Sequence, residues 1–443
     1  MLSRRSFLKT SGLGLAGMMA APSTFAASAK KNKKGSANDT INIACIGLGQ
    51  QGMYLLSGFI SLEGVRIVAG CDVYDIKRNR FEKRVKDYYT EKGEKKIKLG
   101  IYEDYKEMLE KEDIDGVVIA TPDHQHAIIA IECLKAGKDV YLEKPLTLTI
   151  YEGQMLCKAV RKYNRILQVG SMQRSCDEFI HATNICREGL LGKIDRVQVF
   201  VGRRPENQKS GAPVPLNLPK MQCPEGLNWD MWLGPMTEDV YYHSDLDPII
   251  TETEGESLWG AWRWYKPTGG GFMTDWGAHM FDIAQWALGK DNNGPVEIIP
   301  AGYGYYDQLT FKYDNGVIMT EEDFDGGQGV RVYGENGMIT VHRGEFTTTN
   351  PKFDIKGYQK GSGAYETQAG HYGIFINSMR TRIDPNVPVE TGHSSCTVCN
   401  LANIACELNR PVKWNPIVQK FMNDDEATKL LHYEYRNGYK LEI

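Results

Sequence analysis

The stretch INIACIGLGQQG at residues 41–52 constrains the fold more than any other. A short, mostly apolar run of this kind reads as a buried strand, and it empties directly into Gly47, Gly49 and Gly52, after which MYLLSGFISL is helical in its spacing. VRIVAGCDVY follows as a second apolar strand ending at Asp72. Strand, glycines, helix, strand and acid in that order describe a dinucleotide-binding half. One glycine serves a tight turn, one lets backbone approach a pyrophosphate, and one allows close helix-to-strand packing. The helix N-terminus then faces the anion, and Asp72, twenty residues past Gly52, is placed to accept hydrogen bonds from the adenosine ribose. Its charge favours NAD over NADP. Lys77, Arg78 and Arg80 follow closely, either softening that preference, so that NADP stays possible, or forming the exposed face of the next helix.

The alternation continues through YEDYKEMLEKEDIDGVVIATPDHQHAIIAIECLKAGKDVYLEKPLTL. Its periodicity predicts a helix over 103–111, a strand over 116–121, a helix over 124–136 and a strand over 139–143. Strand and helix in turn build an α/β fold on a parallel, doubly wound sheet. Ligands gather beyond the carboxyl ends of such strands, which puts Thr121, Pro122, Asp123, Glu143 and Lys144 at the cofactor cleft with Gln51 of the glycine turn. His124 and His126 stand at a helix start, where cofactor contact and capping are both open; His126 is counted with the cofactor set. GSMQRS (170–175) offers Gln173 to a nicotinamide amide and Arg174 to substrate.

The first 29 residues are read as an export signal rather than as fold: Arg4 and Arg5 precede Phe7 and Leu8, a weakly apolar Gly/Ala/Met run follows, and ASA at 27–29 offers small residues for cleavage. The pattern resembles a twin-arginine signal, which implies the twin-arginine export machinery as a partner and a periplasmic or extracellular destination reached in the folded state. Residues 30–40 read as a charged linker, 41–165 as the NAD-binding domain and 166–443 as a substrate and oligomerisation domain. Losing the signal removes three basic residues and no acid, taking the formal charge from −4 to −7. So acidic a body argues against nucleic acid as a partner, and no later segment is long and apolar enough to span a bilayer. The ten cysteines are scattered. CTVC at 396–399 lies in a segment of helical periodicity without a second CxxC or a His pair, so core packing is the expectation and metal binding the alternative.

GGGFMTDWGAHMFDIAQWAL (269–288) puts Asp275, His279, Asp282 and Trp286 on one helix face, with Met273, Trp276, Met280, Ile283, Ala284 and Ala287 opposite. On its own this stripe is as readily the wet side of a surface helix as a site.

Taken with GLGQQG, ATPDHQHAIIAIECLKAGKDVYLEKPL and GKIDRVQVF, however, the segment resembles the family of glucose-fructose oxidoreductase and inositol 2-dehydrogenase, called Gfo/Idh/MocA. LNWDMWLGP and the C-terminal tail resemble a secreted bacterial subgroup of it. The resemblance spans most of the chain after the signal. It implies a second α+β domain built on a large, mostly antiparallel open sheet that covers the nicotinamide and often forms the contact between subunits of a homo-oligomer. DRVQVFVGRR, VEIIPAGYG, DQLTFKYDNGVIMTEEDF, VRVYGENGMITVHR and EFTTTN agree, being β-rich with turn residues between them.

The resemblance also implies Lys144, Asp275 and His279 as the catalytic set. Oxidising a secondary alcohol needs a base on the oxygen whose carbon faces the nicotinamide, and a histidine suits that task near neutral pH. Asp275 would align substrate or share the proton, and Lys144 would hold the alkoxide-like oxygen. As metal ligands, Asp275 and His279 have no third partner of matching spacing, so no metal is expected. Trp262 and Tyr265, in SLWGAWRWYKPTGGG, are expected at the substrate, a small carbohydrate whose flat faces suit aromatic rings. The expectation is an exported NAD-dependent oxidoreductase of a sugar, polyol or glycoside holding its cofactor tightly. An NAD-dependent glycoside hydrolase or lyase working through a keto-sugar, and a non-catalytic sugar-binding protein, are the alternatives.

Overall fold

The computed structural model describes residues 40–203, 211–236, 240–248, 250, 258–324, 327–354 and 366–443. The expected signal, and the linker except for Thr40, lie outside the described residues.

The first half runs β1 (Ile41–Ile46), α1 (Gln50–Phe59), β2 (Val65–Cys71), α2 (Asp75–Glu91), β3 (Gly100–Tyr102), α3 (Tyr105–Lys111), β4 (Gly116–Ile119), α4 (Asp123–Lys135), β5 (Asp139–Leu142), α5 (Ile150–Tyr163) and β6 (Leu167–Val169). The six strands form one sheet in the order β3-β2-β1-β4-β5-β6, and every pairing is parallel. All of β4 and β5 is buried, as apolar strands covered on both faces must be. The strand order reverses between β1 and β4, so the loops leaving them part and open a crevice at the carboxyl edge.

The boundary expected at 165/166 needs correction, because β6 pairs with β5 and closes this first sheet. A three-residue strand carries too little periodicity to declare which sheet it joins.

The second half continues with α6 (Asp177–Arg187), β7 (Ile194–Phe200), α7 (Trp229–Leu233), α8 (Phe272–Asp275), α9 (Gly277–Ala287), β8 (Glu297–Ile299), β9 (Leu309–Lys312) and β10 (Ile318–Glu321). Next come β11 (Gly329–Gly334), β12 (Gly337–His342), β13 (Glu345–Thr348), α10 (Glu366–Thr381), α11 (Val389–Leu408), β14 (Val412–Asn415), β15 (Lys420–Phe421) and α12 (Asp425–Lys429). Its nine strands lie in the order β13-β12-β11-β7-β10-β9-β8-β14-β15, antiparallel except where β10 meets β7. α6, α9 and α11 cover one face of this sheet, and their apolar residues share a core with its strands, with Phe281 edge-on to Phe311 at 5.1 Å.

The two halves are not separate bodies. Tyr372, Phe375, Ile376 and Met379 of α10 pack among Phe59 and Tyr141 of the first half. Gly58 permits this, since a Cβ there would fall 2.2 Å from the Tyr372 ring. Val389 and Cys396 of α11 pack with Leu156 and Val169 on the other side.

The helical segment expected within 269–288 begins at Phe272 and is divided at Trp276, where α8 ends and α9 begins. Trp276 therefore turns toward the crevice with Asp275 and His279 rather than to the opposite face.

Candidate active site

The glycine turn has the shape its sequence requires. Gly47 sits at φ +83°, and a Cβ there would fall 2.6 Å from the Ala120 carbonyl carbon. A Cβ on Gly52 would lie 1.9 Å from the Gly47 oxygen. Gly49, by contrast, has nothing within 4 Å of its Cβ position and caps α1 without any side-chain bond. That opening beside a helix N-terminus is where a pyrophosphate fits.

Asp72 closes the far side. Its two oxygens accept from the Leu48 N–H at 2.7 Å and the Tyr74 N–H at 3.0 Å, which orients the carboxylate into a cavity lined also by Gly47, Gly49, Gln51, Thr121 and Pro122. Residues from far along the chain roof this cavity: Trp232, Asp247, Trp259, Trp262 and Tyr439. Gln50 Oε1, Thr121 Oγ1 and both amide atoms of Gln173 are buried without a hydrogen-bond partner. Buried polar groups are rarely left so. A dinucleotide with its ribose hydroxyls matches the open glycine, the oriented acid and the waiting Gln50 and Thr121 side chains of this cavity.

A second cavity continues from the first, sharing Gln51, Ala120, Thr121, Trp259, Trp262 and Arg263, and it gathers the catalytic candidates. Lys144 follows β5, and its Nζ donates to Asp275 Oδ1 at 2.7 Å and to the Asp275 carbonyl at 3.0 Å. The contact spans 131 positions of sequence. His279, one turn along in α9, lines the same cavity, and its Nδ1 has no partner. Burial pushes the His279 imidazole well below its ordinary pKa, with Arg343 and Lys144 pushing the same way, so the ring is neutral at pH 7.

Two acids here are driven apart. Burial alone would raise Asp275, but Lys144 and Arg263 outweigh it and hold the carboxylate below its usual range. Burial carries Asp123 well above that range despite Arg263 and Lys144. Glu143 is also raised by burial, partly offset by Lys144 and by the Gln51 amide, which donates to it at 2.9 Å. Carboxyl groups separated in this way are suited to different proton states in one site.

Four expected site residues lie elsewhere in role, Gln173 among them, since it lines neither cavity. Arg174 does not reach substrate: its side chain is only 4% exposed and donates to Asp282 at 2.8 and 2.9 Å and to Asp291 at 2.8 Å. A carboxylate pair took up the guanidinium, which local sequence does not reveal. His126 has both ring nitrogens against main-chain carbonyls, Thr121 at 2.9 Å and Pro145 at 2.9 Å, and so braces the two cofactor loops from behind. Tyr265 donates to Asp245 at 3.1 Å and lines neither cavity, whereas Trp262 lines both.

Sequence reasoning passed over Arg263. The side chain lies between Trp259 and Trp262, its guanidinium carbon 4.1 and 4.2 Å from the two ring centroids, and its Nε is 3.7 Å from Asp275. A cation set among four aromatics in WGAWRWY was the available signal. Arg343, over the Trp276 ring at 4.4 Å, comes from the end of β12 and carried no local signal. Among the described residues no group of three His, Cys, Asp or Glu side chains converges as a metal site, and no helix is long and apolar enough to cross a membrane. Cys396 and Cys399 are buried free thiols in α11.

Two family profiles match the chain. One, described as oxidoreductase family, NAD-binding Rossmann fold, covers residues 41–171. The other, described as oxidoreductase family, C-terminal alpha/beta domain, covers 184–441. Among curated proteins, the chain is 32% identical over 211 residues to a glycosyl hydrolase family 109 protein of Shewanella pealeana, a match spanning 44% of each. It is 29% identical over 210 residues to an alpha-N-acetylgalactosaminidase of Shewanella oneidensis, again 44% of each. The chain thus spans less than half the length of these curated relatives. Among solved structures, it resembles the WlbA dehydrogenase of Bordetella pertussis in complex with NADH and UDP-GlcNAcA, with a TM-score of 0.59 and 16% identity over 86% of this chain and 99% of that one. Myo-inositol 2-dehydrogenase of Lactobacillus plantarum gives a TM-score of 0.54 and 18% identity over 85% and 99%. At these identities the likeness is one of fold.

Proposed function

The chain belongs to the Gfo/Idh/MocA oxidoreductase family, and from that premise we propose that it oxidises a secondary hydroxyl of a sugar, polyol or glycoside. Its N-terminal half is an NAD-binding Rossmann domain. The observation that carries the proposal is the meeting of Lys144, Asp275 and His279, whose Nδ1 has no hydrogen-bond partner, in a cavity continuous with the dinucleotide cleft.

Bound NAD supplies a hydride acceptor; the rest is done by the chain. Gly49 and the start of α1 would hold the phosphates and Asp72 the ribose. In the second cavity His279, neutral because burial depresses its pKa, accepts the hydroxyl proton. Lys144, held at a fixed place by Asp275, stabilises negative charge developing on that oxygen. Trp259, Trp262 and Trp276 supply flat walls for a sugar ring and exclude water.

A twin-arginine signal would deliver the folded protein outside the cytoplasm, where free NAD is scarce. The cofactor would then be retained and, reduced by each oxidation, be reoxidised on the enzyme by reducing a second carbonyl substrate or the same molecule later in the reaction. The roof over the first cavity supports such retention. Assembly into a homo-oligomer through the open sheet is part of the same proposal.

The curated relatives support a second reading, an NAD-dependent glycoside hydrolase in which oxidation at C3 acidifies the C2 proton and permits elimination. One experiment separates the two: purified protein is incubated with glycosides in deuterated buffer and followed by NMR. Exchange at C2 without cleavage marks the dehydrogenase, cleavage marks the hydrolase, and neither exchange, oxidation nor cleavage across sugars, polyols and glycosides would sink both.

A further inference from the structure

The adenosine end of the first cavity carries a pairing that the NAD-binding reading alone does not require. Five residues past Asp72, Lys77 projects from the first turn of α2 into that cavity, where a cation would ordinarily greet a 2′-phosphate. Instead its Nζ donates to both oxygens of Asp247, at 2.7 and 3.0 Å. Asp247 comes from the roof, 170 positions away, and is only 5% exposed. The neighbouring Arg78 is also engaged, donating to the Asp72 main-chain carbonyl at 2.6 Å and facing Glu103 at 3.6 Å.

We infer that Asp247 is a nucleotide-specificity residue: by occupying Lys77 and adding a second carboxylate beside Asp72, it excludes the 2′-phosphate of NADP from a pocket that otherwise has the cation to bind it. The argument is one of charge. A 2′-phosphate brought in here meets two carboxylates and a lysine whose charge is already spent, and Arg80 on the same wall is itself engaged, so the phosphate loses its water for little return. A ribose hydroxyl loses nothing, since Asp72 is oriented to accept from it. Selection against NADP is thus shared between the strand end, where sequence announces it, and a roof residue, where sequence does not.

The inference rests on the NAD-binding reading, and the test distinguishes failure of the two. Purified full-length chain, freed of nucleotide on charcoal, is equilibrated with equimolar NAD and NADP, washed and denatured, and the released nucleotides are quantified. The wild type is expected to hold NAD in large excess. Asp247→Asn is expected to raise the NADP:NAD ratio about tenfold or more, the worth of one charge-assisted phosphate contact. The double variant Lys77→Met/Asp247→Asn should return to the wild-type preference, because no freed cation remains. Asp247→Ala is a second version of the test if the asparagine variant does not fold. An unmoved ratio in the single variants, a gain that survives removal of Lys77, or a wild type that takes up NADP as readily as NAD overturns the inference while leaving NAD binding intact. A wild type that holds neither nucleotide overturns both.

Discussion

Asp275 and Asp282 stand seven positions apart on the same polar stripe, both are buried, and both face a cation. Their surroundings make them opposites. Asp282 receives Arg174 in a two-pronged contact, accepts a further bond from Ser395 at 2.6 Å, and has the Trp286 ring 5.0 Å from the same guanidinium. Every group there is satisfied and no cavity adjoins it in either cleft. Asp275 shares its lysine with an open space, next to an imidazole nitrogen that has no partner. A buried ion pair alone is therefore poor evidence of a site; an unfinished hydrogen-bond inventory beside a cavity is much better.

The contrast can be broken in four ways. The largest effect expected is on chemistry: His279→Ala should lower turnover about 10²- to 10⁴-fold while circular dichroism and nucleotide binding stay as in the wild type. A non-catalytic binder would keep all its ligand affinity and have no turnover to lose. On the other side of the stripe, Asp282→Ala leaves a buried arginine with only the half-buried Asp291 and should cost about 3 kcal/mol in chemical denaturation. Replacing the pair together, as Arg174→Met/Asp282→Leu, should restore most of it, because the two buried charges go at once while Asp291 keeps Arg187 and Ser395 keeps the Thr391 carbonyl.

Asp275→Asn should show the reverse balance, a loss of turnover of about tenfold or more with a smaller loss of stability than Asp282→Ala, as expected where binding geometry was kept at some expense of stability. Equal destabilisation by the two would erase the distinction drawn between them. The smallest effect concerns pH. A histidine whose pKa lies below the ordinary value stays neutral, and so remains a base, as pH falls through about 6.5. The dependence of kcat/KM on pH should accordingly be nearly flat, changing less than about 1.2-fold between pH 7.5 and 6.5, with the acidic limb below. A half-loss at 6.5 would show an unshifted base.

Much of the first half was legible because its signals are local. Gly47, Gly49, Gly52 and Asp72 act through backbone shape and chain order, and the strand ends at Thr121 and Lys144 follow from alternation alone. Illegible from sequence were the fates of polar side chains whose partners lie far away. Arg174 looked available until Asp282 and Asp291 claimed it; His126 looked like a cofactor contact until Pro145 and Thr121 closed on both its nitrogens. Arg263 escaped notice since its meaning depends on Asp275 and on two indole faces folded around it.

The amino-acid order by itself determined a strand-glycine-helix unit with an acid after its second strand, and so a surface shaped for a dinucleotide. It also determined which few residues carry proton chemistry at all. Folding decided which of them remain free to use it. Backbone conformation is set by neighbours in the chain, whereas the charge state and availability of a buried side chain are set by whichever groups the fold brings within about 4 Å of it, from any distance in sequence.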